Sequence, residues 1–226
     1  MSLYDFVKAD KHHVARERLL YMRAAYEMKL HGARCGEQVQ MTEPEIDNRG
    51  YDFTVLVGYE PLHLQNKATV SDAKVGRWEI HASLIHPRWH DRDVAPFHKG
   101  LPIGDYDGAS GGVLLHEICA EAAKAGELLI RYYYFDHYYA AGVAAGAVEA
   151  PGFPMQEAVE MLDLLQNATG RFWLPKRAFL PISSPAAILA LRMQMPNPSN
   201  YMSLAGVGDL PAGLWARELE AWKPAA

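Results

Sequence analysis

Asp52, Gln65 and Lys67 are the residues of this chain whose types and spacing suggest chemistry. A carboxylate and a carboxamide offer hard oxygen atoms, and an amine beside them can orient a water or take up a proton. Their setting is a β-hairpin. In Tyr51–Val57 the odd positions are apolar, while Asp52 and Thr54 point the other way. Gly58 to Pro61 supplies the turn, and Leu62, Leu64 and Ala68 then alternate with His63, Gln65 and Lys67. A two-residue turn at Gly58-Tyr59 sets Asp52 opposite Gln65, and a turn at Tyr59-Glu60 sets it opposite Lys67. Cross-strand partners share a face at about 5 Å between Cβ atoms, so either register gathers the three groups. The plain alternative is a solvated outer face, but Asp and Lys are poor strand formers.

An Asp after a Gly-rich turn (Asp47-Asn-Arg-Gly50-Tyr-Asp52), followed on the next strand by Gln65-Asn66-Lys67, resembles the signature of the PD-(D/E)XK nuclease superfamily. The branch it resembles has Gln in place of the second acid. The resemblance covers residues 14–85 by motif and extends to 135 by element order. It implies an α/β fold with a restriction-endonuclease-like α-β-β-β-α-β core and a mixed sheet. It further implies metal-dependent cleavage of DNA, with Mg²⁺ (or Mn²⁺) held by Asp52, the Gln65 side-chain oxygen and the Asn66 backbone carbonyl. Lys67 would act on the attacking water. A first-helix acid often completes such a site. Glu17, on the stripe of Leu20, Tyr21, Ala24 and Met28, is the choice, with Glu27 in reserve and Glu37 after it. Cutting both strands would suit a homodimer.

The elements follow from periodicity. Residues 13–31 read as a helix ended by Gly32, and Glu37–Met41 as a strand. The hairpin follows. Arg77–Ile85 reads as a strand, or a strand running into a helical turn. Residues 86–112, rich in Pro, Gly, Asp and His, read as a loop insertion. Val113–Ala125 reads as a helix, and Glu127–Phe135 as an aromatic strand set parallel to an earlier one by a crossover. Residues 1–135 thus form the core. Residues 136–226 read as a mainly helical C-terminal elaboration packed on it within a single domain, with a helix at Gln156–Gln166, an edge strand at Arg171–Leu180 broken by Pro175, and a helix at Pro185–Met193.

Composition bounds these readings. The 226 residues carry a net charge of −5. Residues 1–100 balance at 14 basic and 14 acidic, whereas residues 101–226 carry 8 against 13. Bulk attraction for nucleic acid is therefore absent, and DNA binding would need a locally basic cleft. Cys35 and Cys119 give neither a disulfide framework nor zinc spacing, and read as buried thiols. With no signal-type segment and no membrane-length apolar run, a cytoplasmic protein is expected. Two other functions compete with the nuclease: a non-catalytic DNA- or protein-binding module that keeps the fold, and a zinc or iron site built from His81, His86, His90, Asp91 and His98.

Overall fold

The computed structural model describes residues 1–44, 50–57, 60–88, 108–146, 148–150 and 152–189. Helix α1 (Leu3–Lys8) is started by a capping box between Ser2 and Asp5. A 3₁₀ turn then leads into α2 (His13–Cys35). The buried residues of α2 are Leu20, Ala24, Met28 and Gly32, a single i, i+4 stripe. Gly32 does not end this helix. It lies against Val39, whose Cγ2 would stand 2.5 Å from any Cβ at that position. The stop falls at Gly36, in the left-handed region at φ 74°.

The strands are β1 (Val39–Thr42), β2 (Phe53–Val57), β3 (Glu60–Val70), β4 (Arg77–His81), β5 (Gly112–Ile118), β6 (Ile130–Asp136), β7 (Arg171–Pro175) and β8 (Leu180–Ile182). Six of them form a mixed sheet in the order β1-β2-β3-β5-β6-β8. Every pairing in it is antiparallel except β3 with β5, which is parallel. Strands β4 and β7 make a separate antiparallel pair. The helices between these strands are α3 (Ala82–Ile85), α4 (Ala120–Lys124), α5 (His137–Ala144) and α6 (Met155–Gln166).

Three further expectations are corrected first. Residues 112–118 form strand β5, and only Ala120–Lys124 of the expected helix is helical. Every residue of β5 is buried, so the alternation that marks a strand is lost, and Leu114 and Ile118 fall by coincidence at helical spacing. The aromatic strand β6 is accordingly antiparallel to its predecessor, and the parallel strand is β5. Third, Cys35 is exposed, with Sγ 3.6 Å from His31 Nε2, and Cys119 is half-buried. The expected insertion falls mostly on residues 89–107, outside the described residues, as does the end of the helix expected at Pro185–Met193. Residues 136–189 are more than a helical appendage, because β7 and β8 complete both sheets.

The two faces of the large sheet are covered differently. Helix α2 lies on the face that carries Phe53, Leu64, Asn66 and His116, with Tyr21 packed edge-on against Phe53. The other face carries Gln65, Lys67, Val113, Leu115 and Phe135. It meets the β4–β7 pair through Phe179, whose ring centroid is 6.1 Å from Phe135 and 5.7 Å from Trp78. Arg77–His81 alternates outward and inward, burying Trp78 and Ile80, and β7 likewise buries Phe172 and Leu174. Among the described residues no helix is long and apolar enough to cross a membrane.

Candidate active site

Strand β3 is long enough to have two partners in succession. Residues 60–64 pair with β2 and residues 64–70 with β5. Of the two registers open to the hairpin, the observed one joins Val57 to Glu60, so Asp52 falls beside Gln65 just beyond the last ladder pair. The sheet is therefore open on one edge of β3 where β2 leaves it.

Asp52 closes that edge with its side chain. Its backbone N–H still donates to the Leu64 carbonyl at 2.9 Å, and its Oδ2 accepts the Asn66 N–H at 2.6 Å. In an extended strand the N–H and C=O of one residue point to the same side. The Asn66 carbonyl therefore faces the edge on which the Asp52 carboxylate lies. The Asn66 side chain goes to the buried face, where His116 Nε2–H donates to its Oδ1 at 3.1 Å. Burial holds the fully enclosed His116 neutral and lowers its pKa to about 3.

Asp52, Gln65 and Lys67 line one open cavity of about 580 Å³. Gln65 Oε1 is buried and has no hydrogen-bond partner among the described residues. Lys67 makes no ion pair among them. The opposite wall comes from the outer face of the β4–β7 pair: Arg77, Glu79 and His81 from β4, Arg171 and Trp173 from β7. Arg171 Nη1 lies 2.7 Å from Glu79 Oε2, and the Arg77 guanidinium sits 4.8 Å from the centre of the Trp173 ring. Gly50 joins the two walls. At φ 74° it takes a conformation other residues resist, and a Cβ there would fall 2.5 Å from His81 Cβ. The His81 ring is itself fixed by a 2.7 Å contact between Nδ1 and Ser83 Oγ.

The acid expected from the first helix is not brought to this place. Glu17 is exposed on α2, and α2 covers the sheet face opposite to Gln65 and Lys67. Strand alternation, which helix periodicity cannot report, sends those two side chains away from the helix. Glu27 lies on the same helix and pairs with Arg23 at 2.7 Å, and Glu37 is exposed. Among the described residues no group of three His, Cys, Asp or Glu side chains is arranged to hold a metal ion. The histidine-site alternative loses His86, which is buried with Nε2 2.8 Å from the Leu165 carbonyl. His90, Asp91 and His98 lie outside the described residues.

Farther along the face of Lys67 is a second polar cluster. Glu117, paired in register with Thr69, is almost fully buried and accepts Tyr133 Oη–H at 2.8 Å. It also accepts Lys176 Nζ, and Arg131 Nη1 stands 3.8 Å away. Burial alone would raise the Glu117 pKa, but the bonds from Lys176 and Tyr133 and the charges of Lys176 and Arg131 hold it below the ordinary value. Burial, and then the bond to Glu117, push Tyr133 up to about 12.

Sequence reasoning missed the β4–β7 wall. The alternation Arg77-x-Glu79-x-His81 is visible in the sequence, but nothing local pairs it with residues about ninety positions later. Lys176 and Arg177, the two residues that follow β7, pair with Glu117 and Glu157. No family model, curated protein or solved structure matches this chain.

Proposed function

We propose that the protein is a metal-dependent phosphodiesterase acting on DNA. One observation carries the reading: Asp52, Gln65 and Lys67 converge on a single open cavity at the edge of β3, with the Gln65 oxygen buried and unpartnered among the described residues. The element order supports it. A helix, a three-stranded antiparallel meander and a further strand parallel to the third of them agree with the nuclease-like core that the motif resembles.

The donor set fits a hard cation of modest affinity. Asp52 contributes a carboxylate, Gln65 an amide oxygen and Asn66 a carbonyl on the same edge. Mg²⁺ commonly takes only one or two carboxylates from a protein and completes its shell with water and substrate phosphate. A bound cation would offset charge on the phosphate and acidify a water. The chain's own contribution is positional. The Asn66 N–H fixes the Asp52 carboxylate, and Lys67 supplies a positive charge and hydrogen-bond donors that orient the attacking water beside the scissile group.

The test is cleavage of plasmid and oligonucleotide DNA with Mg²⁺ or Mn²⁺. Lys67→Ala and Asp52→Ala should each abolish it while leaving the circular dichroism spectrum unchanged. Undiminished nicking by Lys67→Ala would refute the assignment.

A second reading is a nuclease-like module that binds DNA or protein without cutting. The lack of a three-ligand metal group among the described residues favours it. Calorimetric titration separates the two: the enzyme binds one or two Mn²⁺ ions in an Asp52-dependent way, and the module binds none.

A further inference from the structure

Trp173 is unusual for a strand residue in this protein. It is 53% exposed, it faces the cavity, and the Arg77 guanidinium sits over its ring. Among the described residues no aromatic ring packs against it. Its neighbours along the strand, Phe172 and Leu174, are buried and already anchor β7, so Trp173 is not needed to hold the sheet together. Arg77 and Arg171 flank it on the same face. With Lys67 opposite, the cavity holds three fixed positive charges against the two carboxylates of Asp52 and Glu79, in a chain that is acidic as a whole.

We infer that the β4–β7 wall binds an unpaired DNA strand, with a base stacked on Trp173 and the backbone phosphates drawn to Arg77 and Arg171. This rests on the reading of the Asp52 cavity as a phosphodiester site. A base offers its π-face only when it is unstacked, so an aromatic platform beside basic side chains favours single strands over duplex. A cavity of about 580 Å³ is in the size range of a small-molecule ligand, and so of a single unstacked nucleotide. Arg77 serves both parts, lying over the indole while making no ion pair among the described residues, so that its guanidinium can meet a phosphate oxygen.

The experiment is binding in EDTA, so that no cleavage is required. Fluorescence anisotropy of an end-labelled ten-nucleotide oligothymidylate is compared with that of a labelled blunt hairpin duplex of equal phosphate count. The single strand should bind at least tenfold more tightly. Trp173→Ala should weaken it by about tenfold, and Trp173→Phe by much less. Arg77→Gln and Arg171→Gln should each reduce the salt dependence of binding by roughly one phosphate contact. Duplex bound as tightly as single strand, or an unchanged affinity in Trp173→Ala, overturns the inference. The two proposals fail separately. Trp173-dependent binding with no cleavage under any divalent ion defeats the enzyme and leaves this surface standing. Cleavage with duplex preference does the reverse.

Discussion

Asn66 links His116 to Asp52 across the thickness of the sheet. Its side-chain oxygen accepts from His116 Nε2 on the buried face, while its backbone N–H holds Asp52 Oδ2 on the open edge. A residue between two chemical positions is thus anchored from behind by a buried neutral imidazole, and the stability of that anchor depends on pH.

This dependence sets an acid limit. The unfolded chain takes up a proton on His116 near pH 6.5, but the folded protein does not until about pH 3. A lowered histidine pKa means that acidification through that window favours the unfolded state, by about 1.4 kcal/mol per pH unit for one proton. His116→Gln keeps a donor for Asn66 and removes the titration. Urea unfolding at pH 7, 6 and 5 should show a shallower loss of stability in this variant; parallel curves would contradict the account.

Glu117 acts over a lower range. Its pKa is depressed in the fold, so its contribution is complete above the unfolded value near 4.5 and disappears as the pH falls through the folded value. Glu117→Gln should flatten stability below about pH 5 without altering it between 5 and 7 beyond a constant offset. Lys176→Met leaves a buried carboxylate with weaker partners. It should cost about 1–3 kcal/mol at neutral pH, read from the unfolding midpoint.

Charge and hydrogen bonding can be separated at Asp52. Asp52→Asn preserves an acceptor for the Asn66 N–H, and Asp52→Ala removes it. Asp52→Asn should keep the melting temperature within about 1 °C and Asp52→Ala should lower it by about 2–4 °C, since an exposed charge-assisted bond is worth about 1 kcal/mol. Both should lose divalent-dependent cleavage. Activity retained in Asp52→Asn would mean that the carboxylate charge is not used.

At Gly50 two penalties coincide, a left-handed backbone and a Cβ driven into His81. Gly50→Ala should destabilise by roughly 1–3 kcal/mol and displace the wall that carries His81. Gly50→Asn, which tolerates the dihedral but not the clash, separates the causes. Thermal melts of both variants decide the matter, and equal stability to wild type in Gly50→Ala would show that the loop adjusts freely.

Much of this could be read beforehand because hairpins are local. The alternation in 51–57 and 62–68 and a two-residue turn narrowed the partner of Asp52 to Gln65 or Lys67, and the register that gives Gln65 is the observed one. Helix α2 was legible for the same reason, although Gly32 misled by its type: a glycine that admits a neighbouring strand looks, in sequence, like one that ends a helix. Strand β5 was misread because burial on both faces leaves no period. Glu17 was misplaced because the helix stripe tells which residues face a sheet but not which face of the sheet they meet. The β4–β7 wall was hidden by sequence distance alone.

That distance has a consequence for the chain as it is made. Arg171 and Trp173 reach the cleft only after most of the described polypeptide has been synthesised, and β8 caps the large sheet later still. A nascent chain ending near residue 150 carries Asp52, Gln65 and Lys67 together with β4, but lacks the β7 and β8 partners of β4 and β6. The wall that carries Arg171 and Trp173 is therefore the last part of the described cleft to be made, and β4 has no pairing partner until then.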